Sequence, residues 1–283
     1  MLSLGVLAVT VGAAEGRPMA VSTQSKEGKW VAPITPPWLK AGVSREAYED
    51  FQEFWEDFEA RPHRGDFAIP RIIVWLNGAP GAGKGTCSHH VADIYGIGTE
   101  PLVTSDLLKA PEFVKLKDSG KLSPNRAVTA LVFNAILSRH YADGVIVDGY
   151  PRTSVQAECV QLLRDKILSL KQQCDFQVVI FEVSEEVSVE RQLGRGVQAK
   201  RHNENVRKTG EGTLIEVRKT DESPEAARDR FRTFQEQTAD ALNVLQEKFP
   251  CHRVNAEGSF EQVRHQIYEA LQAKEKARGK SRR

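Results

Sequence analysis

"WLNGAPGAGKGT", Trp75 to Thr86, closes the apolar run "RIIVWLN" and leads into a helix-like stretch through Val91. A buried strand, a glycine-rich turn and a helix, in that order, make a cradle for an anion. Gly78 and Gly83 stand at the required spacing, and Lys84 follows. Glycines let the backbone wrap so that successive N–H groups face the bound group, and the helix N-terminus adds its positive end. Lys84 then sets a compact positive charge against the outer phosphates of a ligand. Gly85 is the oddity. Such loops usually carry a magnesium-binding hydroxyl there, and here Thr86 comes one residue late.

Outward from the loop the alternation continues. "GVIVDGY" precedes a helix starting near Thr153, "FQVVIFEVS" one through Val187, and "CHRVNAE" the last, around Phe260 to Gln272. Near-continuous apolar strands alternating with helices predict an α/β fold, a three-layer arrangement with a parallel sheet covered on both faces. Upstream, "SREAYEDFQEFWEDFEARP" sets Tyr48, Phe51, Trp55 and Phe58 at helical spacing, with Ser44 as N-cap and Pro62 as stop. This predicts a helix docked by its aromatic stripe, a partner-binding helix being the other reading. The expected organisation is an irregular or disordered extension over 1–43, this added amphipathic helix within 44–70, a main domain over 71–273 and a basic tail over 274–283.

Forty per cent apolar and 27 per cent charged residues suit a soluble globular chain, and a net charge of +1 gives no global attraction to nucleic acid or membrane. Cys87, Cys159, Cys174 and Cys251 lie far apart, which points to free thiols in a reducing compartment. "MLSLGVLAVTVGAAEG" is too short to span a bilayer and carries no Lys or Arg before its apolar run. It reads as an extension upstream of Met19, with an export or targeting signal as the alternative. The tail "KEKARGKSRR" reads as a solvated end.

"GAPGAGKGT" resembles the phosphate loop of adenylate kinases and their nucleoside monophosphate kinase relatives, GxPGxGKGT. In that family magnesium is held largely through water and nucleotide phosphates, so Gly85 points to a family and not to a broken site. Four further stretches carry the resemblance in order. "VTSDLLK" (Val103 to Lys109) is similar to STGDLLR, which opens a small helical lobe over the monophosphate. "DGYPRT" (Asp148 to Thr153) is similar to DGFPRT, "RQLGR" (Arg191 to Arg195) to the start of the lid, and "VNAEGS" (Val254 to Ser259) to the donor adenine segment. The resemblance spans roughly Ile72 to Leu271. It implies a phosphate-loop kinase with an acceptor lobe at about 103–140 and a lid at about 195–219.

The resemblance also implies roles. Gly78, Gly81, Ala82, Gly83, Lys84, Gly85 and Thr86 would hold ATP, with Arg191 stacked on its adenine and Gly258 beside it. Thr104, Lys109, Gly149, Arg152, Gln156, Lys219 and Arg230 would bind AMP. Lys84, Arg152, Arg195, Arg218 and Arg230 would be the catalytic charges, and Asp148 would hold Mg²⁺ through water. These residue types fit the chemistry, since phosphoryl transfer needs positioning and positive charge, and arginine grips phosphate with a fixed fork. An amide such as Gln156 can pair with both a donor and an acceptor on the adenine edge.

Three departures fall in the acceptor lobe: Lys109 for arginine, Ser105 for glycine, and "KLSPN" (Lys121 to Asn125) for an apolar pair. The lid stretch after Arg195 has no cysteine, and "RKTDE" leaves Arg218 and Lys219 as alternatives for one role. His202 reads as a solvent-facing lid residue. The implied activity is transfer from Mg-ATP to AMP, giving two ADP, by a cytoplasmic monomer whose partners are ATP, AMP and ADP. The alternatives are a kinase for another monophosphate such as CMP or UMP, and a non-catalytic adenine-nucleotide sensor.

Overall fold

Ile72 to Leu76 is too apolar to face water on either side, and in a computed structural model it lies in the central strand of a five-stranded parallel sheet. The structure describes residues 23–24, 30–31, 35–61, 66–118 and 122–281. The N-terminal apolar segment, the Pro62 stop and Lys121 lie outside them. The chain divides into two units, Met1–Arg45 and Glu46–Arg283. In the first, β1 (Thr23–Gln24) pairs antiparallel with β2 (Trp30–Val31). A short helix, α1 (Pro37–Ala41), follows where the sequence suggests an irregular arm, and ends on left-handed Gly42.

At the boundary α2 (Arg45–Ala60) begins, the helix expected from the aromatic spacing. Then come β3 (Ile72–Gly78), α3 (Lys84–Tyr95), β4 (Leu102–Val103) and α4 (Thr104–Leu107). Helices α5 (Pro111–Asp118) and α6 (Asn125–Ile136) lead to β5 (Val145–Asp148) and α7 (Ser154–Ser169). Next are β6 (Asp175–Glu182), α8 (Glu185–Thr209), α9 (Pro224–Thr233), α10 (Ala239–Lys248), β7 (Cys251–Asn255) and α11 (Phe260–Ser281). The helical pattern of α11 therefore continues through most of the basic tail.

The sheet order is β4-β5-β3-β6-β7. Successive β3 side chains alternate in direction. Ile72, Val74 and Leu76 pack with Val91 of α3 and Ile267 of α11. On the other side Trp75 meets Tyr150, which meets Phe133 of α6 edge-on. The α2 stripe joins that layer, with Phe54 edge-on to Phe133 at 5.4 Å and Phe51 at 6.3 Å. Docking on the body of the protein is thus the arrangement found.

The last residue of β3 must be glycine. At Gly78 φ is +136°, and a Cβ there would lie 2.3 Å from the Phe181 carbonyl oxygen of β6. Loop and neighbouring strand are pressed together at the C-terminal edge of the sheet, where doubly wound sheets bind their ligands.

Candidate active site

The loop after β3 turns into α3 at Lys84, and the cleft above it measures about 920 Å³. Every residue assigned from the sequence lines this cleft except Lys109. Helix α4 is a single turn ending at Leu107, and α5 starts only at Pro111, so Lys109 sits exposed in the connection between them.

Lys84 bends back over the loop, its Nζ donating to the carbonyls of Gly78 at 2.8 Å and Ala79 at 3.0 Å. Burial pushes its pKa down to about 8; Asp148 opposes this, and Arg152, Arg230 and Arg195 add to it. An anion arriving between these cations would restore the proton. The sign for ATP affinity follows. Below pH 8 Lys84 is charged both free and bound, so affinity is flat. Above about 8 the free protein loses a proton that phosphate binding must return. The Kd for ATP should therefore rise by up to about tenfold per pH unit. Calorimetry in two buffers of different ionisation heat should show proton uptake at pH 9 and none at pH 7; a flat Kd would contradict this.

On the β5 side, Asp148 ends the strand and the Tyr150–Pro151 peptide is cis. Arg152 is anchored by its Nε, which donates to the Gly149 carbonyl at 2.7 Å. Burial lowers its pKa, with Asp148 opposing and Arg218 adding. Gln156, almost fully buried, accepts the Arg152 N–H on Oε1 at 2.8 Å. The rest of its amide is left for a ligand. The Thr104 hydroxyl donates to the Asp148 carbonyl at 2.9 Å, tying α4 to β5. Leu122, Ser123 and Val128 complete this wall.

A buried carboxylate that the sequence reading passed over organises the arginines. Asp221, in a 3-10 turn at Lys219–Asp221, has its side chain 2 % exposed. It takes two bonds from Arg195, Nε to Oδ2 at 2.7 Å and Nη2 to Oδ1 at 2.8 Å, and is 3.4 Å from Arg230 Nη1. The turn can sit there because α8 presents Gly196, where a Cβ would lie 2.4 Å from the Asp221 carbonyl oxygen. Arg230 is pushed down by burial and by Arg218, Arg195 and Arg152, with Asp221 opposing. Arg218 and Lys219 both line the cleft.

Ser188 and Gln192 were equally silent in the sequence. Ser188 donates to the Pro80 carbonyl at 2.7 Å, Gln192 donates to Ser188 at 3.2 Å, and Arg230 reaches Gln192 at 3.5 Å. Loop and arginines are thereby linked through α8.

At the far end, Arg191 donates to the carbonyls of Ala256 at 2.7 Å and Glu257 at 3.3 Å, beside Gly258. Phe260, 47 % exposed and expected from sequence only as the start of the last helix, also lines the cleft there. Within the expected lid stretch α8 runs unbroken to Thr209, and the chain then turns back without regular structure. Asn203 pins the return segment, donating to the Ile215 carbonyl and accepting its N–H, both at 2.8 Å. His202 is exposed, with Nε2 2.9 Å from the Thr213 carbonyl oxygen.

Among the described residues there is no group of three or more His, Cys, Asp or Glu that could hold a metal alone. A magnesium ion carried by phosphates needs less, since it keeps most of its waters and takes one or two carboxylates. Asp148 fits that part. Its Oδ2 lies 3.9 Å from where a Cβ on Gly85 would be, so the space a loop hydroxyl would occupy is open beside the carboxylate. No helix among the described residues is long and apolar enough to cross a membrane.

The family model described as adenylate kinase matches residues 76–249. The adenylate kinase of Erythrobacter litoralis is 33% identical over 209 residues, covering 67% of this chain and 95% of its own. That of Gemmatimonas aurantiaca is 32% identical over 220 residues, 71% of this chain and 99% of its own. For Haloarcula marismortui the figures are 30% over 228 residues, 72% and 97%.

Proposed function

Because the chain belongs to the adenylate kinase family, we propose that its cleft transfers the γ-phosphoryl group of ATP to AMP, giving two ADP. One observation carries the reading. Lys84, Arg152, Arg195, Arg218 and Arg230 converge on a single cleft, with Asp148 and Asp221 as carboxylates set among them. Such crowding is costly without an anion, and two phosphate chains meeting end to end are the ligand that relieves it.

In this reading the loop N–H groups and Lys84 hold the donor phosphates, with Arg191 and the backbone at Ala256 to Gly258 around the donor adenine. Arg195 closes on the donor phosphates, and Arg152 and Arg230 grip the acceptor phosphate and the group in flight. Arg218 completes the cluster, with Lys219 at its rim. Gln156 reads the acceptor adenine against Leu122 and Val128, and Thr104 fixes that wall through Asp148. No general base is required, because the attacking phosphate oxygen is already ionised. The residues act by alignment, by charge placed where the transition state spreads its own, and by excluding water. Magnesium, bound with ATP and held by Asp148 through water, would neutralise charge between the outer phosphates.

The four free cysteines and the need for ATP support a cytoplasmic setting, and a site built within one chain supports action as a monomer. The acceptor is the finer point. ADP formation from Mg-ATP with AMP, CMP, UMP, GMP and dAMP offered separately tests it. AMP should be preferred over the pyrimidine monophosphates by at least about tenfold, the worth of one well-made amide–base pairing. A preference for CMP or UMP would transfer specificity to Leu122 and Ser123. Binding of ATP without turnover on any acceptor would leave a sensor.

A further inference from the structure

The family match begins at residue 76, so α2 lies outside it, yet this helix reaches the acceptor wall. It touches both helices that bracket that wall. On α6, Phe51 and Phe54 stack edge-on against Phe133, and Glu53 forms an ion pair with Arg126. On α7, the Cys159 thiol faces the Ala47 carbonyl at 3.5 Å. Between them runs a chain of hydrogen bonds. Asn125 Nδ2 donates to Glu46 Oε1 at 3.0 Å, and Asn125 Oδ1 accepts from the Thr153 hydroxyl at 2.7 Å.

That second bond fixes the Thr153 rotor. With its proton committed to Asn125, the hydroxyl turns a lone pair to the Gln156 N–H, 3.2 Å away, and caps α7. Gln156 in turn holds the Arg152 N–H. Only an amide at position 125 serves both neighbours, giving a proton to a carboxylate and taking one from a hydroxyl.

We propose that Asn125 is a positioning residue through which the added helix α2 sets acceptor affinity. By this route Glu46 orients Asn125, Asn125 orients Thr153, and Thr153 holds the start of α7 where Gln156 and Arg152 face the cleft. The inference rests on the reading of Gln156 as an acceptor contact. Donor binding, built on the loop and the backbone at 256–258, lies outside the relay.

The test reverses the polarity of the first link. Asn125→Asp still accepts from Thr153 but sets a carboxylate against Glu46. It should raise the KM for AMP about fivefold, the scale of one lost hydrogen bond, with the KM for ATP within twofold. Adding Glu46→Gln supplies a donor to the new carboxylate and should return the KM for AMP to near its original value. A general loss of packing would not be rescued this way, and it would move both KM values. Gln156→Ala serves as the reference. If it raises the KM for AMP while Asn125→Asp does not, or if the double variant fails to recover, the relay is wrong. If Gln156→Ala leaves the KM for AMP unchanged, the acceptor reading itself fails.

Discussion

Replacing Lys84 with methionine should lower kcat for ADP formation by at least about 10²- to 10³-fold, the range seen when a single preorganised charge is removed from a transition state. Methionine keeps most of the side chain's length and packing and deletes the charge. The fold should not suffer. Lys84 is held at a pKa of about 8 by burial and by three arginines, so its charged form is disfavoured in the free protein. Removing it should leave the melting temperature equal or raised. That combination, activity lost and stability kept, separates a group placed for a ligand from one placed for the fold. A parallel drop in both would mean that the bonds from Lys84 to Gly78 and Ala79 hold the loop together. A chain that only binds nucleotide would have no transfer activity to lose.

Asp221→Asn should give the opposite pattern, a loss of both. The side chain is buried and takes two short bonds from Arg195 while facing Arg230. Asparagine keeps the shape but turns an amide N–H₂ towards one guanidinium donor and removes the carboxylate that two arginines share. Since Arg195 is 40 % exposed, water offsets part of the cost. About 2–3 kcal/mol of destabilisation is expected, at the low end for breaking a buried charge pair. That corresponds to a fall of about 4–10 °C in melting temperature for a chain of this size. Activity should fall about a hundredfold, because two forks that must meet the same phosphate would no longer be aligned. Saturating ADP should recover part of the lost melting temperature by supplying the missing negative charge. Unchanged melting and kcat would show that the arginines are placed by the cleft alone.

Much of this could be read from the chain before folding it. The loop at Gly78 to Thr86 and the turn at Asp148 to Thr153 are legible because each packs strand, turn and charge into a dozen residues or fewer. The aromatic periodicity of α2 likewise announced a docked helix. What escaped depends on distance. Asp221 matters because two guanidinium groups, 26 residues before it and 9 after it, come to the same carboxylate. Lys109 is read from its neighbours in sequence, which do not show that α4 is one turn long and leaves it exposed before α5. Arg218 and Lys219 are adjacent in the chain, and both line the cleft. The continuity of α8 past Gly194 and Gly196 runs against helix propensity, which disfavours glycine by about 1 kcal/mol each. Close packing of Gly196 on the Asp221 backbone helps explain why glycine is kept there.

The double bond of Asn203 to Ile215 has an outcome for how this protein can vary. By gripping both the N–H and the carbonyl of one residue, a side chain does the work of a neighbouring strand and closes a small ring in the chain. No residue between Gln198 and Glu216 lines the cleft. The tip of that ring, around Gly210 and Gly212, is therefore insulated from the reacting groups. A peptide or fluorescent tag grafted there should leave the KM for AMP within about twofold, since one hydrogen bond at the acceptor would change it by more.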